Sequence, residues 1–147
     1  MSTSEAAQSE PGRRIASVAH VAMLASIALY AGLLWLARPA VLEGPSRLEL
    51  SSILLAVGVA EFAGATILGR RLLAAAAGRP GAADRVRRYF LVRFAAGDAI
   101  AIFGLVAGFK GAPAADSAIL FGVSALALIA ATPTRRAWAS AWLLTSR

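Results

Sequence analysis

Four long apolar stretches, interrupted by few charges and bounded by arginine, lysine or proline, divide the chain. The first runs from Ile15 to Ala37, 23 residues without a charge, and stops at Arg38-Pro39. A helix needs about 20 apolar residues to cross a bilayer, and proline's missing N–H and fixed φ end one. A secretory signal is the rival reading because Arg13-Arg14 precedes the run, but the apolar core of a signal is shorter, at about 7 to 15 residues. The second stretch spans about 50–69 and ends at Arg70-Arg71, with helix formers continuing to the turn Gly78-Arg79-Pro80-Gly81. The third covers about 89–109 and ends at Lys110-Gly111. The fourth, 114–132, lies between Pro113 and Pro133, before Arg135-Arg136.

Short connections make successive helices antiparallel, so the pattern predicts an all-α integral membrane four-helix bundle of up-down topology. Residues 1–14 have little to bury and are expected to form a disordered tail. Residues 138–147 carry Trp138 and Trp142 four apart and predict a short amphipathic segment at the membrane interface, anchored by those tryptophans.

Composition agrees with this division. Hydrophobic residues make up 59% of the chain, charged residues 16%, and the mean hydropathy is +0.68. A soluble domain is typically ~45–50% apolar and ~25% charged. The net charge of +7 is distributed by position: Arg13, Arg14, Arg70, Arg71, Arg79, Arg85, Arg87, Arg88, Arg135, Arg136 and Arg147 fall on one side of the predicted spans. Arg38, Arg47 and Lys110 fall on the other. The positive-inside rule then puts both termini in the cytoplasm and the protein in the inner (plasma) membrane. Arginines at span ends also argue for orientation rather than a nucleic-acid face. The loop cations Arg70, Arg71, Arg79, Arg85, Arg87 and Arg88 are candidates for contact with anionic lipids or with a partner protein.

Chemistry-bearing residues are few. The chain has no cysteine and one histidine, and it lacks H-E-x-x-H, G-x-S-x-G and phosphate-loop motifs, so no catalytic residue, metal or cofactor is expected. Two carboxylates interrupt apolar runs. Glu61 lies nine residues before Arg70 and Asp98 ten after Arg88, which places them ~13.5 and ~15 Å into a hydrocarbon core ~30 Å thick. Carboxylates at that depth are costly and usually face protein or water. Gly97, Ala101, Gly104 and Gly108 form a small-residue face on the third span, and Ala56, Ala60 and Gly64 form one on the second. Such faces let backbones approach closely, and each acid follows a member of its stripe. Two acids brought together in a low-dielectric site cannot both ionise cheaply, so the pair is expected to hold a proton or, with hydroxyls such as Thr66, a monovalent cation. Arg93, one turn inside the third span, is a candidate counter-ion for Glu61 if it does not snorkel to the headgroups. His20, Tyr30, Trp35 and Tyr89 sit toward span ends and read as interfacial residues.

Three features bring in a family. These are the small-residue helix with Ala56, Gly58, Ala60 and Gly64, the basic turn with Arg79-Pro80, and the run Gly97-Asp98-Ala99-Ile100-Ala101-Ile102-Phe103-Gly104-Leu105-Val106. Together they resemble the helical hairpin of ATP synthase subunit c, the proteolipid of the rotary membrane ring. The resemblance implies that Asp98 occupies the place of the family's essential mid-membrane acid and that the Arg79-Pro80 turn is cytoplasmic. It covers the second and third spans only, and the family's alternating glycine repeat is thinned here. The function expected is a multi-pass membrane subunit that binds or relays protons or monovalent cations at Asp98 and Glu61, within a homo-oligomer or a larger complex. The alternative is a structural or assembly subunit whose acids are buried polar glue.

Overall fold

The computed structural model describes residues 3–37 and 48–145, and every regular element in them is helical. Arg38, Pro39, Arg47 and Arg147, used above for span ends and orientation, lie outside the described residues. The helices are α1 (Thr3–Ala37), α2 (Leu48–Ala75), α3 (Ala82–Phe109), α4 (Ala114–Ala130) and α5 (Arg135–Leu143).

Three of them, α1, α2 and α3, are each long and apolar enough to cross a membrane. At 1.5 Å per residue the 17 residues of α4 reach only ~26 Å, short of a ~30 Å core. Pro133 cannot donate a helical hydrogen bond, and after it the chain restarts as α5, bent by 67° from α4. Thr134 caps that restart, its hydroxyl accepting from the Ala137 amide at 3.1 Å. α4 thus coincides with the fourth predicted stretch but is too short to cross by itself, and only the bent pair α4–α5 taken together passes the length and composition of a span.

α1 begins at Thr3, where a disordered tail was expected up to Arg14. The segment is rich in helix formers, and Arg13 clasps Glu10 at 2.6 Å one turn back. Gly12 also lies against the Trp138 ring, so this end of α1 has a packing partner the sequence did not reveal. The α2–α3 turn falls on the predicted residues. Gly78 (φ 72°) and Gly81 (φ 83°) both take left-handed conformations that glycine adopts without a Cβ penalty.

α3 is the central helix, with α1, α2 and α4 each packed along it. Gly58 lies against Ile100 and Phe103 while Gly69 lies against Tyr89, so α2 and α3 run in opposite directions. Gly97 meets Ala127 and Leu128 while Gly104 meets Leu120 and Phe121, so α3 and α4 do as well. α1 runs alongside α3 in the same sense, with His20 beside Phe94 and Leu34 beside Gly108. The core comprises Val86, Phe90, Phe94, Ala101 and Leu128 with Trp138 and Trp142 of α5. Both tryptophans are buried, and Trp138 stacks on Phe90 at 5.3 Å. They hold α5 against α3 instead of anchoring it to lipid. Edge-to-face or stacked aromatic pairs supply that contact with an attraction beyond their buried area.

Candidate functional site

Asp98 sits near the middle of α3 and is only 8% exposed. The helix that covers it is α1. Ala16, His20, Met23, Ile27, Tyr30 and Leu34 recur at helical spacing and turn inward, and Ser26 flanks that face. Ser26 and Tyr30, four apart, therefore reach the same carboxyl: Ser26 Oγ lies 2.6 Å from Asp98 Oδ1, and the Tyr30 hydroxyl lies 3.4 Å from Oδ2. Ser26 Oγ is also 2.7 Å from the carbonyl oxygen of Met23, one turn back. On the adjoining side, the Ser124 hydroxyl of α4 donates to the Gly97 carbonyl at 2.7 Å. The absent side chain at Gly97 makes room for this, since a Cβ there would lie 3.0 Å from Leu128 Cδ2.

The proton count at Ser26 is informative. A serine hydroxyl carries one hydrogen and a backbone carbonyl only accepts, so Ser26 cannot donate to Met23 and Asp98 together. When it donates to Met23, the 2.6 Å contact is a hydrogen bond only if the carboxyl of Asp98 carries the proton and donates to Ser26. When the carboxyl is ionised, the hydroxyl must turn toward it. One rotatable hydrogen thereby matches either state of the acid.

Glu61 is elsewhere. It is exposed on the outer side of α2 and has neither an ion pair nor a hydrogen bond among the described residues. Ala56, Ala60 and Gly64 share its exposure, and a Cβ added at Gly64 would meet nothing within 4 Å. The expected juxtaposition of the two acids does not occur, because the face of α2 that packs on α3 carries Gly58 and Gly69 instead. α2 is apolar nearly all round, so hydropathy could not tell its inner from its outer side. On α3 the small stripe does pack: Gly97, Ala101, Gly104 and Gly108 are all buried, Gly104 against α4 and Gly108 against Leu34 of α1.

Arg93 is not the counter-ion of Glu61. Its Nε donates to Thr66 Oγ1 at 3.1 Å and its Nη2 to the Ala130 carbonyl at 3.3 Å. The guanidinium lies 5.5 Å from the ring centroids of both Phe62 and Tyr89. Thr66 is therefore a partner of Arg93 rather than of either acid. Among the loop cations, Arg87 pairs with Asp84 at 3.0 Å, and Arg85 donates to the Pro80 and Arg79 carbonyls and so fastens the α2–α3 turn. Arg70, Arg71, Arg79 and Arg88 are exposed.

Three further polar contacts were not read from the sequence. Asp116, in the first turn of α4, is buried and accepts from Ser51 of α2 at 2.8 Å. His20 is buried rather than interfacial, and its Nε2 donates to the Leu128 carbonyl at 2.9 Å, which requires a hydrogen on that nitrogen. Tyr30, read as an interface aromatic, turns to Asp98. The available signal was the i, i+4 spacing of Ser26 and Tyr30 on the face that carries His20 and Ile27.

Among the described residues no group of three or more His, Asp or Glu side chains is placed to hold a metal ion. No family model, curated protein or solved structure matches the chain.

Proposed function

We propose that the protein is a multi-pass subunit of the inner membrane in which the Asp98 carboxyl takes up and releases a proton. The observation that carries this reading is the contact of Ser26 Oγ with both Asp98 Oδ1 and the Met23 carbonyl, which serves the protonated and the ionised acid in turn. The oxygens of Ser26, Tyr30, Asp98 and Met23 would also suit a small monovalent cation, since hard cations prefer oxygen ligands. In this reading α1, α2, α3 and the bent pair α4–α5 form a four-span up-down bundle with cytoplasmic termini, as the arginine distribution favours. The likeness to ATP synthase subunit c that this reading draws on rests on the sequence of the α2–α3 hairpin, its Arg79-Pro80 turn and its mid-helix acid. It leaves Glu61 out of the site.

A structural role is the second reading, and Asp116 favours it. That acid too is buried and closed by one serine across a helix pair, so the protein uses a carboxyl–hydroxyl contact as packing glue at least once.

Labelling with a hydrophobic carbodiimide separates the two. A carboxyl that exchanges its proton must open transiently to its surroundings, and the reagent modifies the protonated form. Asp98 should be labelled at acid pH and more slowly as pH rises, with the adduct lost in Asp98→Asn. The exposed Glu61 serves as an internal control for reagent access. Labelling of Glu61 with none at Asp98 from acid to alkaline pH would leave the structural reading in place.

A further inference from the structure

We infer that the cleft between α2, α3 and α5, at the arginine-rich end of the bundle, binds the phosphate of an anionic membrane lipid between Arg93 and Arg70. This inference stands apart from the proton reading of Asp98 and shares no residue with it.

Charge accounting leads to it. Arg13 is paired with Glu10, Arg87 with Asp84, and Arg85 with two carbonyls of the turn. Arg93 and Arg70 have no carboxylate partner among the described residues. For Arg93 this is expensive, because it belongs to a helix long and apolar enough to cross the membrane and is itself half-buried. A guanidinium has five N–H donors. Thr66 and the Ala130 carbonyl engage two of them, and the rings of Phe62 and Tyr89 hold the plane in place. The remaining donors are thus fixed in direction and have no acceptor among the described residues.

The space beside them is a cleft of about 180 Å³ lined by Arg70, Arg93, Tyr89 and Ser140, with Phe90 and Leu144 among its apolar walls. Two guanidinium forks on one cleft suit a phosphate, whose oxygens accept several charge-assisted hydrogen bonds at once. A lipid is the better source than a soluble anion. Its phosphate already lies at the level where a span ends, whereas a free anion would have to leave water to reach a guanidinium one turn inside. Tyr89 also lines a second, mostly apolar groove between α2 and α3 with Leu68, Leu72 and Val92, beside Arg85 and Arg88, which suits the acyl chain of a lipid whose phosphate lies in the charged cleft.

The test uses the full chain purified in detergent, exchanged into phosphatidylcholine with a trace of phosphatidylglycerol, and analysed by native mass spectrometry for retained lipid. One phosphatidylglycerol per chain should be retained in preference to phosphatidylcholine. Arg70→Gln, an exposed substitution that leaves the core alone, should weaken retention about fivefold, the factor that one cation near a charged lipid supplies. Arg93→Lys keeps the charge but loses the fork, and it should weaken retention by a similar factor. Arg71→Gln, exposed and away from the cleft, should change it little. Equal retention by parent, Arg70→Gln and Arg93→Lys would overturn the assignment. Release of the lipid by millimolar inorganic phosphate would overturn the lipid source and give the same arginines to a soluble anion.

Discussion

Two acids at nearly the same depth of adjacent helices have opposite surroundings. Asp98 is covered by α1 and touches two hydroxyls, while Glu61 faces outward from α2 with no partner among the described residues. The helices carrying them differ in the same way. The small-residue face of α3 is packed on both sides, by α1 and α4, whereas the stripe on α2 is open. Depth sets what a carboxyl costs, and the helix face decides whether the protein meets that cost with a hydroxyl, with a partner or not at all. Position along a span is legible from flanking arginines. Rotation about the helix axis is not, when three of its sides are equally apolar.

The largest expected effect sharpens the contrast between the two stripes. Gly104→Leu would drive a side chain toward Leu120 Cβ, already 3.0 Å from where a Cβ at Gly104 would sit, and toward the ring of Phe121. Overpacking of this kind costs about 1–3 kcal/mol, so thermal unfolding in detergent should shift down by several degrees, or the protein should fail to accumulate. Gly64→Leu fills open space and should leave the unfolding temperature unchanged or slightly raised, because leucine has the better helix propensity. Equal losses at both positions would mean that α2 is covered by something outside this chain.

A smaller effect separates the acids themselves. Ser26→Ala removes one interhelical hydrogen bond, a contact worth about 0.6 kcal/mol on average between membrane helices, and leaves the carboxyl with only the long contact to Tyr30. A loss of about 1 kcal/mol in stability is expected, and none in Ser26→Ala combined with Asp98→Ala beyond that of Asp98→Ala alone, because alanine leaves the hydroxyl no side chain to donate to. Additive losses in that double-mutant cycle would show that the two residues do not act as a pair.

Much of this was legible before the structure. The four apolar stretches coincide with helices, the turn at Gly78–Gly81 is where glycine and proline put it, and Asp98 with the Gly97, Gly104 and Gly108 face is buried as its spacing suggests. The misreadings share one cause. Trp138, Trp142, His20 and Tyr30 were placed by distance from a span end, a rule for residues that meet headgroups, and all four are turned toward protein. Asp116 escaped notice because an acid in the first turn of a helix reads as a partner of the helix dipole, and only the fold brings Ser51 to it. Ser26 has no signature of its own in an apolar helix.

The central claim is that the carboxyl of Asp98 holds an exchangeable proton, and infrared difference spectroscopy of the protein in membranes addresses it most directly. A protonated carboxyl has a carbonyl-stretch band distinct from that of a carboxylate, and a hydrogen bond to Ser26 should displace it. The account predicts such a band that is lost and regained reversibly when pH is cycled, moves in Ser26→Ala and vanishes in Asp98→Asn but not in Glu61→Gln. A spectrum in which Asp98→Asn removes no protonated-carboxyl band at any pH would contradict it.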